Sequence, residues 1–287
     1  MHAHLKFALL GAAMLGAAST LAAEAPAADK PAQRELLQPP KMSIASPITD
    51  RFAVRTLFFL PNISTSVRYD NSAAVPGTLV SGEDTLGLQN QLKQVSIDMM
   101  FRMVDRHKIR ADFYKMTRSG DQVISQTIRF GNDIYVVNDR VLTSLDLRKV
   151  GLAYTYSVFR REKWELGLGL ALHLLQLEGT LDAPARFVRE TLDVAGPFAT
   201  LSADGTWRVT QRFSLNFAVD YLGGNVDSVK GGYESYHADV QFRAQRNLTV
   251  GLGYTHNRFK IDSTDPSFAG FFNLKYAGPE AFLRVSF

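Results

Sequence analysis

Large apolar side chains recur at every second position along much of this chain. In 164–174 all six even-numbered residues are Trp or Leu, and the residues between them are small or polar. A period of two is that of a β-strand, whose successive side chains point to opposite faces, whereas a helix repeats every 3.6 residues. The same alternation occurs in 95–103, 150–158, 199–209, 213–221, 236–244 and 248–254. The sequence therefore predicts an all-β chain of antiparallel strands.

The less apolar faces of these strands decide between a soluble and a membrane-embedded sheet. In a soluble sandwich or barrel the outward face is charged and rich in Lys and Glu. Here that face is mixed, with Gly, Ser and Thr in some strands and Arg and Asp in others. Several apolar faces begin or end in Trp or Tyr, as the aromatic girdles of a membrane barrel do. The runs also approach the ~9–11 residues that a tilted strand needs to cross a bilayer. The pattern favours a membrane barrel over a soluble β-protein.

The first 23 residues have the composition of a secretory signal peptide. Lys6 precedes a run of apolar and small residues over 7–21, and small residues follow at 22–23. Because the run is shorter than the ~20 residues of a spanning helix, export is favoured over a membrane anchor. The chain has no Cys, which excludes a disulfide, a thiolate metal site and a lipoprotein anchor.

The last seven residues, 281–287, also alternate and end on an aromatic side chain. Leu283, Val285 and Phe287 lie on one side of the predicted strand, with Arg284 and Ser286 on the other. This ending resembles the closing strand of Gram-negative outer-membrane β-barrels, a class in which a terminal Phe behind an alternating strand is the assembly signal. The resemblance is to a class rather than to one family. It implies insertion into the outer membrane by the outer-membrane assembly machinery, and it implies no particular activity.

Composition divides the chain into three parts. Residues 1–23 form the predicted signal peptide, and 24–50, rich in Ala and Pro without periodicity, form a predicted disordered periplasmic lead-in. Residues 51–287 contain no linker and are predicted to form one domain. A closed sheet pairs every backbone polar group without membrane helices, so we expect a transmembrane antiparallel up-and-down β-barrel.

Alternating connection lengths indicate the topology of this barrel. Short turns belong on the periplasmic side and long loops outside, so both termini are expected in the periplasm. The short connections are 105–108, 160–163, 210–212 and 245–247, and the long ones are 71–90, 119–140, 179–193, 223–232 and 262–270. The count is about ten strands, with eight to twelve possible. Twelve would require the predicted hairpin within 122–142 to cross the membrane, whereas we expect it to extend the wall above. A change of apolar register at Pro61 predicts an irregularity or bulge in the first strand.

The predicted inward faces carry charges of both signs. They are Asp98, Arg102, Arg110, Asp112, Asp204, Arg208, Asp220, His237, Asp239, Arg243, Glu280 and Arg284. The interior of an eight-stranded barrel is just filled by side chains, and ten strands enclose little more. Charges removed from bulk water must be paired, so we expect a network of ion pairs that stiffens the barrel. The function expected is that of a non-enzymatic structural or interaction protein, or a narrow passive conduit for small solutes, without cofactor or metal.

The alternative function is that of an outer-membrane hydrolase directed at lipid or peptide. His237 and Asp239 are both predicted to face inward, and Asp220 is on the preceding strand. A His held by a carboxylate can act as a general base. No Ser in a recognisable motif accompanies them, and a lone inward His more often serves as a hydrogen-bonded filler.

Charge distribution bears on the partners of the protein. The formal charge is +4 and the pI near 9.2, but the basic residues are spread over turns and loop bases without interleaved aromatics, so nucleic acid is not expected. Outer-membrane lipid and lipopolysaccharide are the expected partners. The residues predicted to pair with lipopolysaccharide phosphates are Lys115, Arg118, Arg140, Arg148, Arg258 and Lys260. Ordinary solvated rim charges are the alternative.

Overall fold

Ten long antiparallel strands close into a barrel in the computed structural model of this chain. The structure describes residues 46–71, 75–226, 228–265 and 268–287, so the predicted signal peptide and residues 24–45 lie outside the described residues. The strands are β1 (Phe52–Phe59), β2 (Asn62–Tyr69), β3 (Val80–Ser81), β4 (Gln94–Val104), β5 (His107–Val123), β6 (Ile128–Phe130), β7 (Asp133–Tyr135), β8 (Arg140–Arg160), β9 (Trp164–Ala183), β10 (Val188–Arg208), β11 (Phe213–Val226), β12 (Val229–Arg243), β13 (Leu248–Asp265) and β14 (Phe268–Ser286).

The first barrel strand consists of two segments, β1 and β2. Both pair with β14, β1 over 280–286 and β2 over 270–277, and this pairing closes the sheet. The break falls at Leu60 and Pro61, where proline lacks the N–H that a ladder needs. On β14, Gly278 approaches so closely that a Cβ there would lie 2.2 Å from the Leu60 carbonyl oxygen. The predicted fold class, the count of ten strands and the irregularity at Pro61 are confirmed.

The two ends of the barrel differ in their connections. At the short-turn end β1 begins, β14 ends, and the connections are 105–106, 161–163, 209–212 and 244–247. The opposite end, the loop end, carries β3 and the β6–β7 hairpin, which is a separate two-stranded sheet and takes no part in the barrel wall. The twelve-strand alternative is therefore excluded. In the described part of the chain, no helix is both long and apolar enough to cross a membrane.

Three connections at the loop end are shorter than the sequence suggested. β9 and β10 stay paired up to Ala183 and Val188, and β11 and β12 up to Val226 and Val229. The same continuation holds for β13 and β14. The prediction of long loops at 179–193, 223–232 and 262–270 is therefore wrong. The strands continue because their inward side chains at this end are apolar and gain stability by packing together.

The inward and outward faces exchange their character along the strands. On β8 the outward side chains of Val150 and Leu152 are exposed, while inward Thr155 and Ser157 are buried. Beyond Lys149 the order reverses, because Leu145, Leu147 and Val141 point inward whereas Ser144, Asp146 and Arg148 point outward. On β9 the outward run of Trp and Leu likewise ends at Leu174. The half of the barrel near the short-turn end thus carries an exposed apolar band of the kind that contacts lipid in transmembrane barrels.

The half of the barrel near the loop end encloses an apolar core. Its buried members include Phe59 and Tyr276 on the closing strands and Leu147, Leu177 and Phe198 on the opposite wall. The β6–β7 hairpin adds Ile128, Phe130 and Tyr135 to this core from above. This part of the molecule therefore packs as a water-soluble barrel does, with the apolar side chains inside.

Candidate functional site in the barrel interior

Residues 46–50 form a turn inside the short-turn end. Ser46, Ile48 and Asp50 are buried, although 24–50 was predicted to be disordered. The Asp50 carboxylate accepts hydrogen bonds from Arg243 Nη2 at 2.6 Å and from Arg284 Nη2 at 3.0 Å. The segment is ordered because Asp50 supplies the negative charge that two buried guanidinium groups require.

Two other arginines hold the backbone of the same turn. Arg102 Nε donates to the Asp50 carbonyl oxygen at 3.3 Å, and Arg160 Nη2 donates to the Ile48 carbonyl oxygen at 3.1 Å. Arg102 also binds Glu165 with both of its terminal nitrogens, at 2.7 and 2.8 Å. The turn therefore closes this end of the barrel and is tied to the ion pairs above it.

A second carboxylate, Asp204, extends this basal network toward the centre. Lys108 Nζ contacts Asp204 and lies 3.6 Å from Glu165, which in turn accepts a hydrogen bond from Ser157 at 2.5 Å. Arg208 binds Glu162 at the rim, at 2.9 Å. Positive and negative side chains alternate here, which is the arrangement that makes buried charge tolerable.

The centre of the barrel is organised around Arg55. Its guanidinium binds Asp98 at 2.5 Å and Asp239 at 3.1 Å, and Nη1 lies 2.9 Å from His237 Nε2. His237 Nε2 is also 2.7 Å from Asp239, and its Nδ1 is 2.9 Å from the Thr255 hydroxyl. These residues come from β1, β4, β12 and β13, so the site exists only when the barrel is closed.

The other central charges form separate groups. Asp220 accepts a hydrogen bond from Ser202 at 2.6 Å and lies 3.8 Å from Arg110. Asp112 pairs with Lys149 at 3.0 Å. The structure therefore brings His237 and Asp239 together but places Asp220 with Arg110 instead of beside His237.

The structure places all of the predicted lumen-lining residues inside the barrel, at the contacts described above. Sequence reasoning missed Asp50, Arg55, Lys108, Lys149 and Glu165. Residues two apart on a strand point to the same face, and this rule identifies three of them. Lys108 is two residues before Arg110, Lys149 is two before Gly151, and Glu165 is two before Gly167, and each of these partners is on an inward face. Arg55 was hidden by the register change at Pro61.

A cavity of about 250 Å³ lies between the central charges. Arg55, Arg110 and His237 line it, and Pro47 of the buried turn reaches it from the short-turn end. On the side of the loop end it meets the stacked rings of Tyr114 and Tyr276, whose centroids are 5.2 Å apart. The cavity has room for several water molecules and enough polar groups to hold them.

The chemistry available to His237 is limited by its neighbours. The hydroxyl in contact with it, that of Thr255, donates to Glu280 at 2.7 Å. An oxygen that donates its proton to a carboxylate can serve His237 only as a hydrogen-bond acceptor, not as a nucleophile awaiting deprotonation. In the described residues no group of three or more His, Asp or Glu side chains could hold a metal ion.

Side chains at the loop end are held by a different set of contacts. Arg118 is fully buried and donates to Glu83, Thr65 and the Gln89 carbonyl oxygen, at 2.5–2.7 Å. The prediction that Arg118 faces lipopolysaccharide at the rim is therefore wrong, since it has the inward parity of Tyr114. The Tyr135 hydroxyl donates to the Leu181 carbonyl oxygen at 2.9 Å, and burial raises its pKa well above the usual range.

Comparisons with known proteins establish the fold and nothing finer. No protein-family model and no curated protein matches the chain. The outer membrane protease OmpT from Escherichia coli is similar in structure, with a TM-score of 0.52 and 12% identity over 86% of this chain and 99% of that chain. The attachment invasion locus protein Ail of Yersinia pestis gives a TM-score of 0.31 and 8% identity over 82% of this chain and 99% of that one. The toluene transporter TodX of Pseudomonas putida gives 0.29 and 7%, over 82% and 89%. The chain has the fold of an outer-membrane β-barrel.

Proposed function

We propose that this protein is a closed, non-enzymatic β-barrel of the Gram-negative outer membrane, acting as a structural or interaction protein. The observation that carries the proposal is that both ends of the interior are filled. The turn anchored by Asp50 occupies the short-turn end, and the apolar core occupies the barrel beyond the cavity. A narrow passive conduit is the second candidate, which the polar cavity between these two closures favours.

The loop end supports an interaction role. Phe187 is 97% exposed at the tip between β9 and β10, Ile134 is exposed on the adjoining β6–β7 hairpin, and Val137 is exposed just after that hairpin. Arg186 Nη1 donates to the Ile134 carbonyl oxygen at 3.0 Å, which holds the tip against the hairpin. Exposed apolar groups of this kind commonly mark binding surfaces.

Planar-bilayer conductance of the refolded protein tests the closed barrel. Wild type is expected to show no conductance steps. The folded state of the protein is verified separately by its resistance to unfolding during gel electrophoresis. Asp50→Ala, which frees Arg243 and Arg284, is the matched variant for the closure at the short-turn end. It should remain silent as long as the apolar core stays intact. Regular stepwise increases in conductance from wild type would contradict the closed barrel and favour the narrow passive conduit.

Orientation requires a separate measurement, because we place the short-turn end and both termini in the periplasm only by the usual asymmetry of turns and loops. The chain contains no Cys, so single cysteines give unambiguous labels. Asn225→Cys at the loop end should react with a membrane-impermeant maleimide on intact cells. Gln211→Cys at the short-turn end should react only after permeabilisation. The reverse pattern would invert the orientation.

Hydrolysis is the third candidate function and belongs to a different class. It is favoured by the 2.7 Å contact that orients His237 on Asp239 at the wall of the cavity. Lipid or peptide turnover that His237→Ala abolishes and His173→Ala leaves intact would establish the enzyme. His173 is the matched control, because it too hydrogen-bonds to a threonine hydroxyl, that of Thr200 at 3.1 Å, and lies inside the same barrel.

Assembly is expected to depend on the carboxyl-terminal strand. Leu283 and Val285 point outward from β14 and Phe287 is exposed just after it, so the outer-membrane assembly machinery can contact all three side chains before the barrel closes. Phe287 is also paired with Phe52 through two backbone hydrogen bonds of 2.9 and 3.1 Å. Truncating the side chain in Phe287→Ala preserves those bonds, so slower assembly in cells with unchanged refolding in vitro would support recognition by the assembly machinery.

A further inference from the structure

The outward face of β13 and β14 carries a cluster of cations just beyond the apolar band. Arg258 and Lys275 are directly opposite each other in the ladder, and Lys260 is one outward position further toward the loop end, opposite Asn273. Like charges directly opposite one another destabilise a sheet. The strands therefore hold a positive charge density that calls for an anion from outside the barrel.

The described residues do not neutralise this cluster. No carboxylate among them lies within 4.0 Å of Arg258, Lys260 or Lys275, although Glu234 faces Arg258 from β12. Arg258 uses Nε to reach Asn273 Oδ1 at 3.1 Å, which leaves its terminal nitrogens available. Lys260 Nζ stands 5.7 Å from the centre of the Phe271 ring. Arg258 and Lys260 are thus positioned by contacts with neutral groups, and the facing Glu234 forms no ion pair with Arg258.

The position of the cluster relative to the membrane identifies the kind of anion. Tyr254 and Tyr236 are exposed at the upper edge of the apolar band on β13 and β12. Arg258 follows Tyr254 by four residues, which is ~13 Å along the strand at ~3.3 Å per residue and ~9 Å along the membrane normal at a tilt of ~45°. That is the depth of lipid headgroups, immediately outside the aromatic girdle. The cluster also faces sideways into the surrounding lipid, not up into solvent.

We propose that Arg258, Lys260 and Lys275 bind the phosphate groups of lipid A in lipopolysaccharide. A guanidinium binds phosphate through two parallel hydrogen bonds, and an ammonium adds a point charge. Ser64, which is paired with Lys275 in the ladder and exposed on β2, offers a hydroxyl beside them. The choice of lipid A over an inner-leaflet phospholipid rests on the orientation proposed above, which places the loop end outside.

A second outward pair of cations, Lys115 and Arg148, differs from the first in the residues of the next outward row. They too are directly opposite in the ladder and lie just beyond the apolar band. The next outward row, however, contains the carboxylates Asp146 and Glu178, opposite each other. This pair has equal positive charge at the same margin of the band, but its next row carries two carboxylates where that of Arg258 and Lys275 carries Lys260 and Asn273, so it supplies a matched control.

Binding of lipid A to the purified, detergent-solubilised full-length protein tests the proposal by native mass spectrometry. Wild type is expected to retain phosphorylated lipid A. The double variant Arg258→Ala/Lys275→Ala should lose affinity by about tenfold or more, because two charge-assisted contacts are removed. Lys115→Ala/Arg148→Ala should change affinity by less than about twofold. Dephosphorylated lipid A should bind wild type as weakly as phosphorylated lipid A binds the double variant, and Arg258→Lys should recover part of the affinity.

Several results would overturn the proposal. Equal retention of lipid A by Arg258→Ala/Lys275→Ala and wild type would show that these residues do not bind it. Equal losses of affinity in the two double variants would show that only the net charge of the protein matters. Equal binding of phosphatidylglycerol would make the ligand any anionic lipid, and full displacement by inorganic phosphate would make it a simple anion site. Binding in detergent does not depend on orientation, whereas the cysteine labelling does, so the two failures can be told apart.

Discussion

Leu170→Arg tests the lipid-facing band at its centre. Leu170 is 55% exposed on β9, within the outward run that begins at Trp164 and ends at Leu174. With ~3.3 Å per residue and a tilt of ~45°, Leu170 lies ~14 Å from the level of Trp164 along the membrane normal. The apolar band of such barrels is ~25 Å tall, so Leu170 is near its middle. Leu174 lies ~23 Å from Trp164 by the same reasoning, at the opposite edge.

The two positions should therefore respond very differently to the same substitution. Arg at the midplane costs ~2–4 kcal/mol and near an interface ~0–1 kcal/mol. Leu170→Arg should lower the free energy of unfolding by the larger amount and Leu174→Arg by the smaller, although both side chains are equally apolar and about equally exposed. Asn225→Arg, at the loop end, should be tolerated.

Urea unfolding of the protein in phospholipid vesicles measures these free energies. The chain has two Trp residues, Trp164 and Trp207, which stack with centroids 4.7 Å apart, so their fluorescence reports unfolding at the girdle. An equal cost at Leu170 and Leu174, or a larger one at Leu174, would refute the assigned depth of the band. No cost at either position would refute its contact with lipid.

Three further predictions concern individual contacts. Glu165→Ala removes the carboxylate that the buried Arg102 and Lys108 share, so it should lower the free energy of unfolding in urea by ~3–5 kcal/mol. Glu162→Ala at the exposed rim should lower it by no more than ~1 kcal/mol. Similar losses in the two variants would argue against a buried network. Tyr135→Phe should cost ~0.5–1.5 kcal/mol by the same assay, because a buried carbonyl loses its donor, and an unchanged stability would mean that water replaces the hydroxyl. Arg140 lowers the pKa of Asp121 by hydrogen bonding, so the pair is present above the ordinary carboxyl pKa and lost as the pH falls through the lowered one. Arg140→Ala should raise that pKa toward its usual range in an NMR titration, and an unmoved pKa would contradict the pairing.

The sequence predicted which side chains of the central site point inward, but not which of them pair with each other. Asp98, His237 and Asp239 were expected inside from the parity of their strands, and they are found there. Their common partner is Arg55, which is 43 residues from Asp98 and 184 from Asp239 along the chain. Local sequence contains no record of such a contact, because it depends on how the strands are staggered around the closed barrel.

Two predictions failed because they treated segments separately. Arg118 was grouped with Lys115 at the rim, although an odd spacing places them on opposite faces of one strand. Residues 46–50 were assigned to a disordered segment on composition, yet Asp50 is buried between two arginines of β12 and β14. Composition indicates whether a segment can fold in isolation. It contains no information about an ion pair with distant residues, such as that of Asp50 with Arg243 and Arg284.

The sequence by itself determined that the chain forms strands, that large apolar side chains lie on one face of them, and that charges of both signs lie on the opposite face. It could do so because side-chain direction alternates with every residue, so local order specifies the face. Only the tertiary structure decided that the strands continue beyond the membrane, that their interior there is apolar, and which charges pair. Alternation is the same whether the apolar set faces lipid or a core, and the difference depends on closure of the sheet and on what surrounds it at each height.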